Sequence, residues 1–170
     1  NSTIYTHAYE GGNEDHDACN ILISKLIKNN KNIKFAYQFP LYHAYSFFYY
    51  KVQNALKTNG KIIYIKSTFL QRLKFISYLF YYKSQLKVWF GLYPFLIYNL
   101  IFRNYYILQK MNKNFIAKRP HQGKLLYEKF RDVSFSDLKI KFDKFFNNKS
   151  FFSVSISDNF FLKSLIFLLC

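Results

Sequence analysis

The stretch Ile4-Tyr5-Thr6-His7-Ala8-Tyr9-Glu10-Gly11-Gly12-Asn13-Glu14-Asp15-His16-Asp17-Ala18 decides how the rest of the chain is read. Asn1–His7 reads as a strand, and two adjacent glycines then let the backbone turn tightly. A helix is expected from about Asn13 to Lys28, because Cys19, Leu22, Ile23, Leu26 and Ile27 recur at three- and four-residue spacing and form one apolar stripe. Asn29–Asn32 is a polar turn, and Ile33–Phe39 is a second strand closed by Pro40. Lys61–Lys66, behind Asn59-Gly60, is a short apolar run of strand type. Phe69 to about Trp89 is helical in pattern, with Leu73, Ile76, Phe80 and Tyr81 on one face. Strand, loop, helix, strand is the order of an α/β domain.

Charge sets the opening segment apart from the remainder of the chain. Residues 1–24 hold no Lys or Arg and four of the nine acids, Glu10, Glu14, Asp15 and Asp17, whereas all 25 basic residues lie beyond Ser24. The net charge of +16 suggests nucleic acid. Two features count against that partner. Of the 25 basic residues 21 are Lys, and planar, bidentate phosphate recognition favours Arg. The lysines also accompany an excess of Asn, Phe, Tyr and Ile, as an AT-rich coding bias produces. Coding bias is therefore the preferred source of the charge, no nucleic acid is expected, and weak contact with an anionic membrane surface is the alternative.

At 170 residues the chain suits one domain. Its only methionine is Met111 and it opens in mid-strand, so residue 1 reads as a cut end. Cys19 and Cys170 are far apart, which gives no disulfide framework and points to a reducing, cytoplasmic setting. Val88–Phe102, bracketed by Lys87 and Arg103, falls short of the roughly 20 apolar residues of a spanning helix and reads as buried or interfacial. The run Phe160–Cys170 is shorter still.

Two readings fit the acidic segment. Asn13 is a good helix cap, and Glu14, Asp15 and Asp17 complement the helix dipole. Alternatively, His16 in the first helical turn, beside carboxylates and at the carboxyl end of a strand, suits a metal ligand. His7, nine residues before His16 at the end of the first strand, reads as a loop residue, with lining of the same mouth as its alternative. His43 reads as a surface or half-buried histidine. His121 reads as a loop residue, with an anion contact made jointly with Arg119 as its alternative.

Thr6–Ala18 resembles the second metal motif of the PIG-L/LmbE zinc-dependent de-N-acetylases, H-x-D-H-x-A after a glycine-rich loop. Lys74 with Tyr82-Lys83-Ser84-Gln85, and Arg119-Pro120-His121-Gln122-Gly123-Lys124-Leu125-Leu126-Tyr127-Glu128, are similar to later family segments. The resemblance implies a Rossmann-like layered sheet over residues 1–140, incomplete at its N-terminus, with 141–170 as an apolar and basic extension. It implies a Zn²⁺ ligand at His16, a supporting carboxylate at Asp15, and at Asn13 the position where the family carries a histidine that assists the transition state. Its substrate would be an N-acetylated sugar or sugar conjugate. An amide at position 13 can donate a hydrogen bond to an oxyanion but cannot deliver a proton. The family's His-Pro-Asp-Asp-Glu run, which carries the other ligands and the general base, does not occur in these residues, so hydrolysis by the chain as given is not expected.

Overall fold

A computed structural model describes residues 2–45, 50–81, 83, 86–112 and 118–147. The opening stretch folds as its pattern predicts. Strand β1 (Ser2–His7) is exposed at its start and buried at its carboxyl end. Helix α1 (Glu14–Asn29) starts at Asn13, whose extended backbone (φ −138°, ψ 134°) and side chain cap it by accepting from the Asp15 N–H. It stops at Asn30, whose N–H returns to the Leu26 carbonyl. Strand β2 (Ile33–Phe39) lies parallel to β1, with Ile4 opposite Ala36 and His7 opposite Phe39. The crossover helix buries Ile23 and Ile27 against Ile33, Ala36 and Met111.

The buried face of α1 is rotated from the expected one. Leu22 and Leu26 are only half-buried, while Asp17, Asn20 and Ser24 are fully covered. These polar side chains are buried because each has a partner, which removes most of the desolvation cost. Asn20 Nδ2 donates to the His7 carbonyl and to Gln38 Oε1, both at 2.7 Å. Gln38 Nε2 donates to the Asn59 carbonyl at 2.8 Å, and Ser24 Oγ donates to the Asn20 carbonyl at 2.8 Å.

After a two-stranded hairpin of β3 (Tyr42–His43) and β4 (Lys51–Val52), the short 3₁₀ turn Lys57–Asn59 leads into β5 (Ile62–Lys66). The helical pattern of Phe69–Trp89 divides into α2 (Phe69–Leu79) and α3 (Leu86–Phe102). The polar run Lys83-Ser84-Gln85 falls at the division. A Thr68–Gln71 capping box starts α2. The stretch expected as a helix over Val88–Phe102 is the bulk of α3, with Pro94 inside it.

Strand β6 (Tyr105–Lys110), not among the expected strands, is central to the sheet. The order is β1-β2-β6-β5, with β6 antiparallel to both neighbours, so the sheet is mixed and the domain is α/β. Gln109 of β6 is wholly buried, its amide donating to the Leu56 and Gly60 carbonyls at 2.9 and 3.0 Å. Helices α4 (Leu126–Phe130) and α5 (Phe135–Asn147) close the described residues around Leu125, Tyr127 and Leu138, and α5 runs across position 140. Among the described residues no helix is long and apolar enough to cross a membrane. The Tyr82, Ser84 and Gln85 positions and the run Phe160–Cys170 lie outside the described residues.

Candidate functional site

The loop between β1 and α1 is held by two buried carboxylates. Asp17 accepts from the Glu10 N–H at 2.9 Å and from the Gly11 N–H at 3.1 Å. Glu10 Oε1 accepts from the Leu41 and Tyr42 N–H groups at 2.7 and 2.8 Å, tying the loop to the segment after β2. The two glycines are needed here for different reasons. Gly11 adopts φ +72°, and a Cβ at Gly12 would lie 2.0 Å from the Tyr42 carbonyl oxygen. Burial pushes the Glu10 carboxyl up to about 8, against the pull of the two N–H donors. Burial likewise pushes Asp17 up to about 7. Among the acids of the opening segment, Asp17 thus serves as a loop clamp rather than as a solvated charge at the helix end.

This clamped loop brings His16 over His7. The two rings stack with centroids 4.1 Å apart and planes 26° apart. The edge of Phe39, at the carboxyl end of β2, meets His7 at 5.0 Å, and Tyr42 meets His16 at 6.0 Å. His7 Nδ1 is buried without a hydrogen-bond partner among the described groups. Both imidazoles are held near pKa 4. Burial is the main cause in each, followed by the neighbouring His16 for His7 and by the Arg131 charge for His16. At neutral pH both rings are uncharged and retain a lone pair, the form in which imidazole binds a divalent ion.

The other predicted residues are placed differently. Asn13 Oδ1 is committed to the Asp15 N–H at 2.9 Å, and its side chain also hydrogen-bonds the Tyr42 phenol. Asp15 is exposed, near the Arg131 charge, and the ring neighbours of His16 are His7 and Tyr42. A cleft of about 250 Å³ opens beside this group, with walls that include Asn13, Tyr42, Tyr50, Lys87, Phe130 and Arg131. His16 is not one of its walls and stands one ring behind it, in contact with Tyr42. Arg131 Nη1 pairs with Glu14 Oε1 at 2.6 Å.

His43 is fully buried, in contrast to its surface or half-buried reading. Both of its ring nitrogens are used: Nε2 bonds the Asn54 carbonyl at 2.9 Å, and Nδ1 accepts from the Tyr45 N–H at 3.1 Å. It props the β3–β4 hairpin. His121 Nδ1 bonds the Gln122 carbonyl at 2.7 Å. Arg119 is forked onto Glu128 and also donates to the Gly123 carbonyl at 2.7 Å. Glu128 accepts in addition from the Leu125 and Phe135 N–H groups. Burial alone would raise its carboxyl, but Arg119 and these two donors hold it down at about 2. Arg119–Glu128 is therefore a strut, its guanidinium engaged within the fold.

The donors present do not make up a catalytic zinc site. Such a site takes about three protein ligands and an open water position, and no group of three or more His, Cys, Asp or Glu among the described residues is placed to hold a metal ion. The Thr6–Ala18 stretch contributes two imidazoles in van der Waals contact, and the pairing of His7 with His16 is the part of the site to which the sequence gives little weight. The sequence feature that points to it is the short glycine turn between His7 at the end of a strand and His16 in the first turn of the next helix. No family model matches the chain, and neither a curated protein nor a solved structure matches it.

Proposed function

We propose that this chain is part of a metal-dependent hydrolase that removes an acetyl group from an N-acetylated amino sugar or a related amide, on a Rossmann-like scaffold of the PIG-L/LmbE type. The observation that carries the reading is the stacked, uncharged His7–His16 pair at the carboxyl ends of the parallel strands β1 and β2. Ligands of open α/β sheets sit at those ends. His16 is the candidate metal ligand, and His7 fixes the plane of its ring. Zinc, when bound, would polarise an amide carbonyl and lower the pKa of a water.

Asn13 lines the cleft with its oxygen engaged by the Asp15 N–H and its NH₂ group shared with the Tyr42 phenol, so one N–H is left for a substrate. That group can stabilise charge growing on a carbonyl oxygen, while proton delivery falls to another residue. Because the His-Pro-Asp-Asp-Glu run is absent from these residues, the remaining ligands and the general base would have to be supplied by other sequence of the complete protein. The same asparagine favours a second reading, a relative that keeps the scaffold without the catalysis.

Metal analysis of the complete protein and its His16→Ala variant separates the two. About one zinc per chain, lost in the variant, is expected for the hydrolase. A metal-free protein that still folds supports the non-catalytic relative.

A further inference from the structure

Helix α3 is apolar on two opposite faces. Leu92, Leu96 and Asn99 form its inner stripe, where the two leucines pack on Val52 and Asn99 Nδ2 donates to the Val52 carbonyl at 3.2 Å. Phe90, Pro94, Ile97 and Ile101 recur at helical spacing on the outer side, and all are exposed, Phe90 by 84% and Ile101 by 57%. The adjoining α2 exposes Leu70 by 74%, and Tyr81 just beyond it is exposed by 79%. A single exposed apolar side chain needs no explanation, but a contiguous patch marks an interaction surface. A helix apolar all round is normally covered on every side.

Charge selects what covers it. Between Asp17 and Glu128 the sequence contains no Asp or Glu. Lys66, Lys74, Lys83 and Lys87 of the hairpin region are all exposed, and the outer stripe carries no hydrogen-bonding side chain suited to reading a base or a phosphate. A surface that is at once apolar, aromatic and cationic, with no acid, complements the boundary of an anionic bilayer, where lysines meet headgroups and aromatic rings sit at the interface. With 17 residues and an internal proline, α3 fits a helix lying in the plane of that boundary.

We propose that the α2–α3 hairpin docks the protein on an anionic lipid bilayer through the Phe90–Ile101 face of α3, with the surrounding lysines on the headgroups. This is independent of the hydrolase reading.

The test is sedimentation of the full chain with phosphatidylcholine vesicles, with and without phosphatidylserine. Binding is expected to require phosphatidylserine and to weaken as salt is raised. The Phe90→Glu/Ile97→Glu variant should lose about tenfold in partitioning with its circular dichroism unchanged, and Lys74→Glu/Lys83→Glu should lose about as much. Lack of binding to anionic vesicles, or undiminished binding by both variants, overturns the proposal. So does a concentration-dependent dimer, or a nucleic-acid complex, that depends on Phe90 while vesicles are ignored.

Discussion

The β1–α1 loop and the α2–α3 hairpin solve opposite problems. In the loop, charged and polar groups are buried, and the side chains that hold it each have fixed partners: Asp17 with two N–H groups, Glu10 Oε1 with two more, Asn20 Nδ2 with a carbonyl and an amide oxygen. Glu10 Oε2 and Asn20 Oδ1 are left without one among the described residues. In the hairpin, apolar groups stay exposed while a few polar links hold it in place, such as Arg72 donating to the Leu100 and Ser67 carbonyls at 3.0 and 2.7 Å. A buried polar group needs a fixed partner, so the loop tolerates little change. An exposed apolar face contributes little to folding, so the hairpin tolerates much more.

Substitution should reproduce that contrast. The largest loss is expected for Gly12→Ala, where the new methyl meets the Tyr42 carbonyl, at about 3–4 kcal/mol in chemical denaturation. A loss below ~1 kcal/mol would mean that the loop moves away freely, and the contrast would fail. Asp17→Ala comes next at about 2–3 kcal/mol, because the Glu10 and Gly11 N–H groups are left buried without an acceptor.

Protons act on the buried groups of the loop in opposite senses. His7 and His16 are held at about 4 against an ordinary value of 6.5. Between those values the unfolded chain binds more protons, so their contribution is complete above pH 6.5 and is lost as pH falls through 4. Asp17 runs the other way, raised to about 7 from 3.8, so its contribution is complete below pH 3.8 and is lost as pH rises through 7. His16→Gln should therefore flatten the acid limb of a stability-against-pH curve, and Asp17→Asn the neutral limb. Urea midpoints measured across pH check both, and an unchanged acid limb in His16→Gln would place the proton elsewhere. The smallest effect is expected for Phe90→Ser on the outer face of α3, within about 0.5 kcal/mol of the parent. A much larger loss would show that this face is already covered in the folded chain.

The features legible in the sequence are those made by near neighbours. Asn13 caps the first turn three residues before His16, the two glycines permit the turn, and the apolar spacing of residues 19–27 makes a helix. The break between α2 and α3 is marked there only by the short polar run Lys83-Ser84-Gln85, which a helix with a solvated face would also carry. Strand β6 is hidden because Tyr105–Lys110 comes straight after a long apolar helix, and it becomes a strand by pairing with β2 and β5. The inward turn of Asn20 and Gln38 is equally hidden, since their partners lie 13 to 21 residues away.

Sequence alone settled the α/β order, the capped helix after a glycine turn, and His16 in its first turn, because each depends on contacts within a few residues of chain. Tertiary structure alone decided that His16 stacks on His7, that Asp17 clamps the loop and that Gln109 sits at the centre of a mixed sheet. Those outcomes depend on whether a buried polar or aromatic group finds a partner brought close by folding, as Gln109 does 53 residues away at Leu56.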